Sequence, residues 1–304
     1  MDTQFNRTAI YISLGIAIAM VFAVIFGAKY VITSTAQQPV ALPPTPSEAA
    51  DSPECAAVVE ALPDKLMGYS RVELVDPAPA GAAAWTKSSE DKITLRCGVD
   101  LPQQFTDYSQ TIEADGESWL QVIDATPGSN LTTWYSTQRT PAVAVTTSTG
   151  DAQSDAPQGL TEALNKLDKK PQNPNPAPLS TLKAGPDSMC PKLDKALPDS
   201  LAEGYTRRTD ASDKNTWVYS APGHEEIVVR CGVAAPENYR AGVQLQQVND
   251  VPWFEDTTLA EGTTAGTWFA LGRAEDLALS APQEAANSAL VRLSDALVEA
   301  TPAQ

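Results

Sequence analysis

The chain has 304 residues, 42% apolar and 19% charged, a globular composition with length for two domains that each bury a core. Its 21 basic and 38 acidic residues leave a net charge of -17, a surface repelled by phosphate backbones and anionic head groups, so nucleic acid is a poor partner. The 24 prolines against 17 glycines point to extended linkers between the folded parts.

From Ala9 to Ala28 the chain is uncharged and almost wholly apolar, twenty residues that as a helix would cover about 30 Å of hydrocarbon. The expectation is a transmembrane helix over 9–32 that meets the lipid bilayer through residues 9–28, preceded by a cytoplasmic N-terminus, 1–8. Arg7 and Lys29 on its two flanks nearly balance the positive-inside rule. Orientation rests instead on the downstream cysteines, which suit an oxidising compartment and place the following domains outside the cytoplasm. This makes a single-pass plasma-membrane protein. The alternative is secretion after signal cleavage near Ala36, since Ser34 and Ala36 supply the small residues of a cut site.

Residues 33–51 and 169–187 lack a hydrophobic period and are rich in proline. They read as a tether and a linker, the first reaching about 60 Å if fully polyproline-like. They bracket two modules, 52–168 and 188–304. Sliding the sequence on itself by 134 residues, the separation of Arg96 and Arg230, lays Arg96-Cys97-Gly98-Val99 on Arg230-Cys231-Gly232-Val233. The same shift lays Trp119 on Trp253, Trp134 on Trp268 and Arg139 on Arg273. With small length changes Cys55 matches Cys190 and Trp85 matches Trp217. Two copies at this period mean tandem domains.

Each copy reads as helix, strands, helix. In the first, Ser52 is a good N-cap, Pro53 takes the first helical position, and Cys55, Val58, Val59 and Leu62 share a face. Strand-like runs follow at Tyr69 to Val75, Ala83 to Thr86, Ile93 to Val99, Ser109 to Glu113, Trp119 to Ile123, Leu131 to Tyr135 and Ala142 to Thr147. A closing helix carries Leu160, Ala163, Leu164 and Leu167 in the first copy and Ala286, Ala289, Leu290, Leu293, Ala296, Leu297 and Ala300 in the second. The fold class expected is α+β: a transmembrane helix, then two tandem domains, each an antiparallel sheet with an opening and a closing helix on one face and one internal disulfide.

The four cysteines allow three pairings. A domain duplicated as a unit carries its own bridge, which selects Cys55 with Cys97 and Cys190 with Cys231. Alternation puts Ile93, Leu95, Cys97 and Val99 on one strand face and Arg96 on the other. Zinc or redox chemistry fits poorly, because there is no C-x-x-C and the one histidine, His224, has no counterpart in the other copy. No metal and no cofactor is expected.

Catalytic constellations are equally thin. His224 stands alone in a turn-like PGHEE stretch, and no glycine-rich phosphate loop or calcium loop occurs. Asp64 and Asp199, the repeated carboxylates, each follow a helix-ending proline, where aspartate serves turn geometry. The candidates for ligand binding are Arg96 and Arg230 on the strand face opposite the cysteines, with Arg139 and Arg273, because a guanidinium can receive a carboxylate in bidentate fashion. The structural alternative for all four is an ion pair within the fold.

The runs CAAVVEALPDKL, PAPAGAAAW and ITLRCGV in the first copy, and CPKLDKALPDSL, IVVRCGV and VNDVPWF in the second, resemble the actinobacterial membrane and secreted proteins grouped as domain-of-unknown-function family 3515. The resemblance covers about 52 to 168 and 188 to 302. It implies an actinobacterial cell envelope and transfers no catalytic residue. This chain departs from the usual pattern in carrying two domains. The expected role is non-catalytic binding or scaffolding of an envelope protein or cell-wall component. The alternatives are an envelope hydrolase using carboxylates, or a sensor or accessory subunit of a membrane complex.

Overall fold

The computed structural model describes residues 7–301 apart from 37, 46, 89, 149–154, 212 and 260–262, so most of the expected cytoplasmic N-terminus, 1–8, lies outside the described residues. In the first helix, Arg7–Ala36, the Tyr11–Lys29 stretch has a mean hydropathy of 2.3 and none of it is buried. A helix apolar all round has no polar face to turn to water, and this one has no core to enter.

The first half forms β1 (Lys65–Leu66), β2 (Tyr69–Val72), β3 (Ala82–Thr86), β4 (Lys92–Val99), β5 (Thr111–Ala114), β6 (Glu117–Ile123), β7 (Thr132–Ser136), β8 (Arg139–Thr140), β9 (Ala142–Thr147) and β10 (Asp168–Lys169). Eight of these make one antiparallel sheet in the order β1-β2-β3-β4-β9-β7-β6-β5, and β8 pairs with β10. The second half has β11 (Thr206–Arg207), β12 (Thr216–Ser220), β13 (Ile227–Val233), β14 (Gln246–Val248), β15 (Val251–Glu255), β16 (Ala265–Ala270) and β17 (Asp276–Pro282). Their order, β11-β12-β13-β17-β16-β15-β14, repeats the first sheet without β1. The chain is therefore α+β twice over, as the strand spacing requires.

One face of each sheet meets the helices. In the first half the opening helix Pro53–Glu60 starts where Ser52 Oγ accepts the Cys55 N–H at 3.2 Å, and it buries Cys55 and Val58 against Trp85, Ile93, Leu95 and Trp134. In the second, Cys190–Ala196 lacks a side-chain N-cap of its own; Glu275 supplies it, accepting from Met189 N at 2.9 Å and Ser188 Oγ at 2.6 Å. The closing helices differ. Gln283–Ala300 runs 18 residues, whereas the described residues that close the first half hold the one-turn Thr161–Leu164, because Asp168 and Lys169 leave at once to pair with Thr140 and Arg139. Leu160, Ala163, Leu164 and Leu167 are nonetheless buried.

Both disulfides join a helix to the central strand within one half: Cys55–Cys97 and Cys190–Cys231, with Cα atoms 5.5 and 5.8 Å apart. One tryptophan match is corrected. Trp85 stands opposite Ile93, while the residue opposite Ile227 is Tyr219, so Tyr219 and not Trp217 is the counterpart of Trp85. Chemistry agrees, since Trp85 Nε1 donates to Pro63 O at 2.9 Å and the Tyr219 hydroxyl to Pro198 O at 3.0 Å. Trp217 instead sits half-buried two residues away and donates to Asp194 Oδ1 at 2.7 Å.

Both proline-rich stretches are fastened to the outer faces and edges of the sheets. Val40 N donates to Glu73 O at 2.9 Å and Val75 N to Val40 O at 3.0 Å. Gly185 N donates to Gly232 O and Ala234 N to Lys183 O, both at 2.8 Å. The repeated R-C-G-V strands are built for this docking. Arg96 Nη2 holds Pro43 O at 2.6 Å, and Arg230 Nη1 holds Leu179 O at 2.5 Å. After each cysteine the register shifts by a bulge at a glycine with positive φ, +83° at Gly98 and +72° at Gly232. A Cβ on Gly98 would lie 2.5 Å from the Ala49–Ala50 backbone, and one on Gly232 would lie 2.8 Å from Asp187. Glycine is what lets the incoming chain pass.

Candidate binding site between the two halves

The loop between β4 and β5 carries the first half onto the second. Phe105, Thr106 and Tyr108 on it are buried. Asn175 clasps the loop, donating its backbone N–H to Phe105 O at 2.8 Å and its side-chain amide to the Phe105, Pro102 and Gln103 carbonyls. The Tyr108 ring enters an apolar cluster of the second half with Val218, Val228, Phe254 and Phe269. Its hydroxyl donates to Asp213 Oδ2 at 2.6 Å, and Arg208 donates to its carbonyl. Burial and the Asp213 carboxylate push the Tyr108 hydroxyl well above the ordinary tyrosine range. At the other end of the junction Ile123 N donates to Gly223 O at 2.8 Å.

The Gly223-His224-Glu225-Glu226 segment is thereby wedged between the halves. Glu225 and Glu226 are 5% and 4% exposed. Glu225 accepts the Thr264 hydroxyl at 2.8 Å, and Tyr205 donates to its backbone carbonyl at 3.0 Å. Burial raises the Glu225 carboxyl above its ordinary value, and Glu284 adds to the effect. Burial drives Glu226 to about 7 against the pull of Arg208 and of a Gln110 backbone bond from the first half. His224 Nδ1 lies 3.5 Å from Glu284 Oε1. Cavities of about 220, 270 and 300 Å³ open around this segment, and Glu225 lines all three. The arrangement offers hydrogen-bond acceptors and a buried acid able to exchange a proton near neutrality.

Of the four arginines singled out in the sequence, Arg230 comes near enough to Tyr108 to act on its hydroxyl, while all four are engaged by partners of the fold. Arg96 and Arg230 meet the docked linkers, as above. Arg139 grips Glu117 through Nε, at 2.9 and 3.1 Å, and through Nη2, and donates to Leu167 O at 3.2 Å. Arg273 donates to Thr301 O at 3.2 Å and Asp250 O at 2.8 Å. Leu167 and Thr301 occupy matching positions, so both arginines tie down the end of a closing segment. Asp64 and Asp199 lie one in each half, in equivalent turns whose carbonyls accept from Arg71 N and Arg207 N. Cys190, Cys231 and Glu275 cluster closely enough to hold a metal, but the two sulfurs are joined to each other and only the carboxylate is left as a ligand.

Glu225 and Glu226 are the residues that sequence reasoning missed. The signal available was a charge reversal inside the repeat: the second copy has two acids where the first has Asp91-Lys92.

A duplicated α+β domain with one disulfide per copy, carried behind an apolar N-terminal helix, defines the class of protein. Within it, the model of the DUF3515 family, proteins of unknown function, matches residues 14–173 and again 166–304, and the chain belongs to that family. No curated protein and no solved structure matches the chain.

Proposed function

We propose that this is a single-pass membrane protein whose two domains lie outside the cytoplasm, in an actinobacterial cell envelope, where they bind or scaffold an envelope protein or cell-wall component without catalysis. The observation that carries this reading is the Arg7–Ala36 helix, whose Tyr11–Lys29 stretch is apolar and exposed along its whole length. Two disulfides support an oxidising compartment. The clefts at the domain junction are the best seat for a ligand. Arg96 and Arg230 are a second place for an acidic group, using the guanidinium donors that the linker carbonyls leave over among the described residues.

Three measurements on the full-length protein test it. It should sediment with membranes, lose its domains to protease added outside intact cells, and retain peptidoglycan or detergent-solubilised envelope proteins. Protection from outside protease, or retention of neither material, overturns the proposal.

One observation favours a second reading, an envelope hydrolase. Glu225 and Glu226 are adjacent buried carboxyls, both raised by burial, one to about 7. Hydrolysis of a glycan or ester that disappears in both Glu225→Gln and Glu226→Gln, with folding retained, would establish it over the binding role.

A further inference from the structure

The outer face of the second sheet carries a pair of hydroxyls that the first sheet satisfies internally. Thr133 and Thr146 stand opposite each other on β7 and β9, and their hydroxyls hydrogen-bond at 3.0 Å. At the matching positions of the second half are Thr267 and Ser280, again paired directly across β16 and β17. These two are 3% and 4% exposed, yet neither hydroxyl has a hydrogen-bond partner among the described residues. Both line the cavity of about 220 Å³ that lies under the linker segment 175–182. Neither oxygen is sealed in the interior, so both open to the cavity and make their hydrogen bonds to whatever fills it.

The walls define the chemistry of that occupant. Leu179, Leu182 and Leu259 give an apolar side, Thr267 and Ser280 a polar side, and among the described lining residues the one that is charged is Glu225. A carboxylate in the wall with no cation beside it repels anions. The volume is below the ~300–1,000 Å³ that holds drug-sized ligands, which limits the occupant to a small molecule. We propose that this cavity is a binding site for an uncharged polyhydroxylated molecule of monosaccharide size. Its hydroxyls meet Thr267 and Ser280 while a C–H face lies on the three leucines. The proposal rests on the binding role advanced above and names the ligand class for one of its clefts.

Saturation-transfer NMR on the full-length protein in a sugar-free detergent tests it, with glucose and glucuronate as probes. Glucose should receive saturation and glucuronate, the same ring with a carboxylate, should not. The Thr267→Val, Ser280→Ala double variant should weaken glucose by about tenfold or more with its circular dichroism unchanged. Thr133→Val with Thr146→Val, the matching change in the first half, should leave glucose binding as it was. The site is refuted if glucose gives no transfer, if glucuronate binds equally, or if the Thr267 and Ser280 variant binds glucose normally. Those outcomes leave the membrane and envelope-retention measurements untouched, so failure of the sugar site and failure of the scaffolding role read separately.

Discussion

Arg139 and Glu117 face each other with 6% and 3% of their side chains exposed, and the guanidinium reaches the carboxylate through both Nε and Nη2. Removing one partner strands a charge out of water. Glu117→Ala should destabilise the first half by about 3–5 kcal/mol in urea denaturation, whereas replacing both by apolar residues, Glu117→Leu with Arg139→Met, should recover most of the loss. A double variant no better than the single one would mean that the bonds from Arg139 to Leu167 O and Asn165 outweigh the ion pair.

The glycine of each R-C-G-V strand is a gate for the chain that enters the domain. Gly98→Ala adds a Cβ at 2.5 Å from backbone on a residue with φ of +83°. It should cost about 1–3 kcal/mol and lift the 38–51 stretch from the sheet. Limited proteolysis should then cut within that stretch several times faster than in the parent protein. Gly232→Ala should do the same to the second linker.

Glu226 makes stability depend on pH in the opposite sense to a salt-bridged acid. Its folded carboxyl sits at about 7 against an ordinary 4.5. Between those values the folded chain holds a proton that the unfolded chain releases, so stability is greatest below about 4.5, falls as pH rises, and levels off above 7. The full swing is about 3 kcal/mol, and Glu225, also raised, adds in the same direction. The groups facing Glu226 are Arg208, Glu225 and the Gln110 backbone. Glu226→Gln should flatten most of the dependence in denaturation midpoints taken from pH 5 to 8. An unchanged profile would assign it to other groups.

Tyr108 is the anchor of the domain junction. Tyr108→Phe removes a hydroxyl bond to Asp213 and should cost about 0.5–1.5 kcal/mol. Tyr108→Ala also empties the apolar slot between Val218 and Phe254, and should split calorimetric unfolding into two transitions. One sharp transition in that variant would show that the linker alone couples the halves.

Much of the fold is written locally. The Ser52 cap, the alternation of Ile93, Leu95 and Cys97 and the duplicated cysteines each act within a few residues and appear in the structure where the pattern puts them, but Val99, expected on the same face, is carried off it by the bulge at Gly98 and is half-buried. Tyr219 was overlooked as the partner of Trp85 because an indole and a phenol can make the same bond to a proline carbonyl, so identity is a poorer guide there than register. The short first closing helix could not be read from its leucine stripe, which stays buried with or without helical turns. The junction acids were harder still. Glu225 and Glu226 look like a solvated turn until the 100–110 loop of the other half closes over them, a contact between residues more than a hundred positions apart.

The helix ends at Ala36, and Val40 is already bonded into the sheet edge through Glu73 and Val75. Three residues separate them, about 13 Å at full stretch. On the proposed reading, with this helix across the bilayer, that is a short leash: it would hold the first domain at the bilayer surface, and a partner would have to come down to the membrane or be made there.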